Sequence, residues 1–276
     1  MPILHCGRFR LDLSQPRVMA IINLTDDSFS GDGLRGDVRA ALGRAEQALA
    51  QGADMLDIGA ESTRPGSEPV PEAQELERVV RFVEQARDWQ VPLSIDTVKP
   101  AVMTAALAAG ADMINDINAF RAPGTIEAVA AGDVGLCLMH MQGEPRTMQQ
   151  DPKYGDVVGE VMAFLEARVA ALQSAGVARE RLVLDPGFGF GKRTEHNYTL
   201  LRELGRFTAG GLPVLAGMSR KSMIGAVTGR EVGERLAGSV AAALIAVQHG
   251  ACIVRVHDVA ATVDALKVWQ ATLTSG

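Results

Sequence analysis

Short apolar runs recur along the chain, and most of them end on a polar or ionisable residue. In order they are Arg17–Asn23, Asp54–Asp57, Val91–Asp96, Asp112–Asp116, Gly135–His140, Arg181–Asp185, Leu212–Ser219 and Ala251–His257. Each is rich in Val, Ile, Leu or Met and short enough for a strand buried on both faces. Such a strand avoids a terminal Asn, Asp or His unless its end opens onto something polar. Helical patterns fill the gaps. In Pro71–Trp89, Leu76, Val79, Val80, Val83 and Ala86 share one face, while Glu72, Glu75 and Glu77 crowd the first turns, where they would complement the helix dipole. Asp37–Gln51, Pro100–Ala109, Thr125–Ala131, Tyr154–Ala175, Glu195–Phe207, Gly233–Gln248 and Val259–Thr272 read the same way. Gly52, Gly110, Gly132, Gly176 and Gly250 follow five of these helices as stops.

Eight strands alternating with helices, their carboxyl ends on one face, predict an α/β fold: a (β/α)8 TIM barrel with its site at the top. A doubly wound open sheet would alternate likewise, so closure rests on the strand count. Met1–Ser14 reads as an added N-terminal β-hairpin (Ile3–Cys6, Gly7, Arg8–Leu13) closing the barrel floor. No linker or composition shift interrupts the alternation, so residues 1–276 are expected to form one domain.

Composition narrows the partners. Apolar residues make up 47% of the 276-residue chain, enough for a large core. Twenty-seven Lys and Arg against thirty-three Asp and Glu leave a net charge of −6, unpromising for nucleic acid. No apolar run approaches the ~20 residues of a membrane span. Cys6, Cys137 and Cys252 are far apart with no CxxC spacing, so they read as packed thiols in a reducing, cytoplasmic setting.

Four segments carry more polarity than scaffold needs. Asn23–Gly33 has the composition of a mobile loop over a site, although a solvated connection would look alike. Glu61–Gly66 combines Arg64 with two hydroxyls and a Pro-Gly turn that could close over an anion; an ordinary turn with a surface ion pair is the alternative. Asp185-Pro-Gly-Phe-Gly-Phe-Gly-Lys192 superficially suggests a phosphate loop. A Walker loop fails, because Pro186 stands where its first glycine is required and Arg193 where Ser or Thr would hold magnesium. Its alternating Gly and Phe suit backbone turning beside a flat ligand. Finally, Ser219–Ser222 pairs with Arg255 and His257, which project to one side of the last strand at the usual phosphate-binding end of such barrels. Asp57, Asp96 and Asp185, with Asn115, would make an acceptor-rich mouth for a planar ring bearing several N–H donors.

These residues resemble the dihydropteroate synthase family of folate biosynthesis, from about Arg17 to the C-terminus. Its motifs appear as Asn23–Gly33, Asp57–Gly66, Ser94–Thr97, Asn115-Asp116, Asp185–Lys192, Ser219–Met223 and Arg255–Val259. Asp26 stands where the family usually has Pro, Gly31-Asp32-Gly33 where it has Asp-Gly-Gly, and Ala60 where it has Gly. The resemblance implies a transferase joining 6-hydroxymethyl-7,8-dihydropterin diphosphate to 4-aminobenzoate, with carbon–oxygen cleavage preceding attack by the aniline nitrogen. It places the pterin on Asp96, Asn115, Asp185, Lys221 and Arg255, and the diphosphate on Asn23, Thr63, Arg255 and His257. The 4-aminobenzoate falls to Ser222, Phe190, Arg64 and Pro65, and a Mg2+ cofactor to Asn23. Lys221, Arg255 and His257 are the implied catalytic groups, and a homodimer the implied assembly. Pterin-dependent methyltransferases that deliver a methyl group to a corrinoid share the barrel and would explain Asp96, Asn115 and Asp185. They leave Glu61–Gly66 and Ser219–Met223 without a purpose. A barrel that binds pterin without turnover is the non-enzymatic alternative.

Overall fold

The structure is a computed structural model describing residues 3–24, 34–61, 69–145 and 147–274. After a hairpin of β1 (Ile3–Cys6) and β2 (Phe9–Asp12) come eight parallel strands: β3 (Arg17–Asn23), β4 (Met55–Gly59), β5 (Leu93–Asp96), β6 (Met113–Asp116), β7 (Gly135–Met139), β8 (Leu182–Asp185), β9 (Leu215–Ala216) and β10 (Ile253–Val256). They lie in the order β8-β7-β6-β5-β4-β3-β10-β9. A parallel bridge between Leu184 and Val214 brings the two ends together, and Leu184 N donates to Pro213 O at 2.9 Å. The expected barrel is therefore nearly closed, and the open-sheet alternative falls.

Alternation along each strand sorts the residues. Val18, Ala20, Ile22, Leu56, Ile58, Ile95, Leu136, Leu138 and Val254 face outward into one large core with the helices. Met19, Met55, Met113, Cys137, Val183, Leu215 and Ile253 face inward near the amino ends, where Leu4, Cys6 and Leu13 of the hairpin segment pack against them. The hairpin thus closes the floor as expected. Arg8 fixes it by pairing with the buried Asp112 at 2.9 Å. Gly7, at φ +55°, lies so close that a Cβ would stand 2.9 Å from the Asp112 Cα, so glycine is required there.

The helices are α1 (Leu34–Ala50), α2 (Glu72–Ala86), α3 (Pro100–Ala109), α4 (Thr125–Ala130), α5 (Val157–Ser174), α6 (Thr194–Arg202), α7 (Gly205–Thr208), α8 (Ser222–Thr228), α9 (Leu236–Gln248) and α10 (Val259–Thr274). The five glycines expected as helix stops all have positive φ. One expectation needs correction. Glu195–Phe207 is broken at Glu203-Leu204 into two helices. Glu75 sits in the first turn of α2 as expected, and is buried there, accepting from Lys99 Nζ and Thr97 Oγ1, both at 2.5 Å. No described helix is long and apolar enough to cross a membrane.

Candidate active site

Two residues beyond the apolar floor, the same inward-facing positions turn polar: Asp57 follows Met55, Asn115 follows Met113, Asp185 follows Val183 and Arg255 follows Ile253. Register puts Asn23, Gly59, Asp96 and Asn115 in one row across four strand ends. Arg255 crosses the mouth. Its Nε donates to Asp57 Oδ2 at 2.6 Å and its Nη2 to Asp96 Oδ2 at 2.9 Å. Asp57, fully buried, also accepts from Ser94 Oγ at 2.6 Å and Asn115 Nδ2 at 3.1 Å. Asp57 is therefore an anchor, not the open acceptor its sequence position suggested. By holding the Asn115 amide from the nitrogen side, it leaves Asn115 Oδ1 buried without a partner. A buried acceptor in that state is costly unless a ligand donor reaches it.

Electrostatics show the remaining groups converging on the same space. Burial raises the Cys137 thiol well above its usual range, and the charges of Asp185, Asp57 and Asp96 add to the shift while Arg255 opposes it. Burial pushes Asp96 up to about 7 against the pull of Arg255, with Asp57, Asp116 and Glu75 pushing the same way. Asp185 is also raised by burial, opposed by Lys221, the Gly187 N–H, Lys192 and Arg255. Lys221 falls to about 8, again through burial, with Asp185 resisting. Lys221 Nζ donates to Phe188 O at 2.5 Å and lies 4.6 Å from the centre of the Phe190 ring.

Lys221 reaches the mouth because Arg220 before it takes a left-handed turn, φ 60°. The Arg220 guanidinium itself points away and donates to Asp258 Oδ2 at 3.0 Å and Oδ1 at 2.5 Å. Ser222 is exposed at the first turn of α8, adjoining Lys221. His257 Nδ1 lies 3.0 Å from Ser219 Oγ, so the two phosphate-end elements found in sequence meet. Asn23 stands exposed at the end of β3. Thr63, Arg64 and Pro65 lie outside the described residues, as do Asp26 and Gly31–Gly33.

Sequence reasoning missed the apolar side of the site. Ile117, Met139, Met141 and Met148 form a separate buried cluster on which Val98 and Phe190 pack. Met139 carried a signal, being two residues past the inward Cys137. Ile117 and Met148 lie in loops, where periodicity says nothing. For a metal, no group of three or more His, Cys, Asp or Glu is gathered among the described residues. Asn23 offers one hard oxygen, whereas Asp57 and Asp96 are engaged by Arg255. That donor set fits a magnesium ion taking most of its oxygens from phosphate and water.

An acceptor-rich, lysine-bearing mouth with one apolar side on a parallel barrel defines a site for a flat, polar-edged ring. A family model described as pterin binding enzyme matches residues 19–257. A dihydropteroate synthase of Haemophilus influenzae is 52% identical over 270 residues, 98% of this chain and 98% of that protein. The crystal structure of Burkholderia cenocepacia dihydropteroate synthase complexed with 7,8-dihydropteroate is 57% identical, with a TM-score of 0.92 over 99% of this chain and 97% of that one. The Xanthomonas albilineans dihydropteroate synthase with 4-aminobenzoic acid is 52% identical, with a TM-score of 0.93 over 100% of this chain and 99% of that one. The chain belongs to the pterin binding enzyme family, in its dihydropteroate synthase branch.

Proposed function

We propose that this chain joins 6-hydroxymethyl-7,8-dihydropterin diphosphate to 4-aminobenzoate, releasing pyrophosphate and 7,8-dihydropteroate. The observation that carries this reading is the unpartnered, buried Asn115 Oδ1 beside Asp96 in the strand register. It awaits an N–H donor from a ring, and the pterin edge supplies several. Asp185 would accept two more from the amidine-like edge. Lys221 would donate to a ring acceptor, with Phe190 beneath its ammonium. Relatives with 7,8-dihydropteroate and with 4-aminobenzoic acid bound support both halves of the reaction.

In the reaction the methylene C–O bond breaks and its electron pair leaves with pyrophosphate. The aniline nitrogen then bonds that carbon and releases a proton. Arg255 and His257 would offset the charge developing on the leaving group. A bound magnesium ion, with Asn23 as its protein ligand, would supply further charge neutralisation at the diphosphate. Thr63 would assist there, and Ser222, Phe190, Arg64 and Pro65 would receive the benzoate.

The implied homodimer has a suitable surface: Val227, Val232, Leu236 and Ile245 are exposed on α8, α9 and the turn between them, between 40% and 61% accessible. A second copy would cover them. The thiols of Cys6, Cys137 and Cys252 are unpaired, which suits a cytoplasmic setting.

The test is to supply labelled 4-aminobenzoate, the pterin diphosphate and magnesium. Labelled dihydropteroate with equimolar pyrophosphate is expected. Pterin binding without product, or methyl transfer from methyltetrahydrofolate to a corrinoid instead, would overturn the reading.

A further inference from the structure

Lys192 closes the motif that resembled a phosphate loop, yet it never reaches a phosphate position. It is 3% exposed, and its Nζ turns back inside the β8–α6 connection. There it meets Gly187 O at 2.9 Å, Phe190 O at 3.0 Å, His140 O at 3.3 Å and His140 Nδ1 at 2.9 Å. The three carbonyls are acceptors, and His140 Nδ1 is one in the ring's Nε2–H tautomer. A neutral amine would aim a lone pair at one of them, whereas an ammonium offers only N–H donors, so the cage suits the charged form. His140 complements it: burial, then the Lys192 charge, lowers its pKa to about 3, which keeps the ring neutral, and its Nε2–H tautomer leaves Nδ1 free to accept. Burial pulls the Lys192 pKa well down too, and Asp185 resists.

The loop so gripped carries the chemistry. It begins at Asp185, whose Oδ1 accepts from Gly187 N at 2.7 Å. Its Phe188 carbonyl holds Lys221, and its Phe190 ring lies under the same ammonium. Two further carbonyls are met from outside the loop, Gly189 O by Gln149 Nε2 and Gly191 O by Tyr154 Oη at 2.8 Å. The loop also presses on the end of β7, where a Cβ on Gly187 would stand 1.9 Å from His140 O. Backbone bonds from Phe190 N to Gly187 O at 3.1 Å and from His140 N to Asp185 O at 3.0 Å begin this fastening, and the buried cation gathers the start of the loop, its tip and the end of β7 at one atom.

We propose that Lys192 is a positioning residue: its ammonium, caged by Gly187 O, Phe190 O and His140, fixes the β8–α6 loop so that Asp185 and Lys221 meet the pterin in register. This rests on the functional reading above. Lys192 itself touches no substrate.

The experiment is calorimetry on Lys192→Met beside the wild type, with two probes: 6-hydroxymethylpterin, and inorganic pyrophosphate with magnesium. Lys192→Met is expected to weaken pterin binding at least about tenfold, through misplaced buried partners. Pyrophosphate, held at Arg255 and His257 across the mouth, should bind within about twofold of wild type. A merely structural role would weaken both probes together, and that result, or unchanged pterin affinity, overturns the proposal. If Lys192→Met does not fold, Lys192→Gln carries the same comparison, because its amide still reaches a carbonyl without charge. A wild-type protein that binds no pterin overturns the functional reading, which is a separate failure.

Discussion

The two ends of the barrel interior are built from the same strands and differ in almost everything else. At the floor, Met55, Met113, Val183 and Ile253 are sealed beneath the hairpin residues Leu4 and Cys6. Two positions on, the same strands present Asp57, Asn115, Asp185 and Arg255. The floor is held by packing that any shape-matched apolar residue could serve. The mouth is held by polar contacts, chiefly the Asp57–Arg255–Asp96 ion pairs, each group depending on its partners. Both ends therefore contribute stability, but chemistry is confined to the mouth, as the barrel geometry favours.

Arg255→Met should have the largest effect, because it strips both partners from the mouth. Asp57, fully buried, and Asp96 are left without their cation, and breaking a buried pair typically costs ~3–5 kcal/mol. Urea denaturation should read that loss, while turnover falls on the order of 10²–10³-fold. Unchanged stability would mean that the carboxylates find other partners.

Leu4→Ala probes the opposite end. Leu4 is 1% exposed, so truncation should cost ~2–5 kcal/mol in denaturant unfolding. Pterin affinity should stay within about twofold, the mouth being a separate set of contacts. A matching loss of affinity would erase the division between floor and mouth.

A pH profile gives the smallest but most specific effect. With Asp96 pushed up to about 7, its carboxyl is protonated below that pH and accepts a ring N–H only as a neutral, weaker acceptor. With Lys221 lowered to about 8, its amine loses the donor charge above that pH. The value of kcat/KM should therefore peak between the two and fall up to about tenfold per unit outside them. Asp96→Asn should abolish the acid limb and leave the alkaline one.

How much of this was visible in the chain follows sequence distance. All eight strands, the floor hairpin and the polar strand ends were legible, because apolar runs and their termini are local signals. Most strands and helices fell within a few residues of their expected bounds. Pairing was not legible. Arg255 and Asp57 lie 198 positions apart, and nothing in either neighbourhood says that one fastens the other. Glu75 was readable as a first-turn acid but not as a buried one, because its partners Thr97 and Lys99 sit 22 and 24 positions on. Lys192 carried no readable role once the Walker reading failed, because a sequence shows a lysine's type but not its direction. Loop residues such as Ile117 and Met148 gave no periodic signal at all.

The most direct test of the mouth as a pterin site is a single titration. Asp185→Asn keeps the side chain's shape while replacing an acceptor with a donor that faces ring N–H groups. Buried donors left unpaired cost ~1–3 kcal/mol, so calorimetry with 6-hydroxymethylpterin should show affinity at least about tenfold weaker than wild type. An unchanged dissociation constant would contradict the assignment and reduce Asp185 to a loop anchor for Gly187.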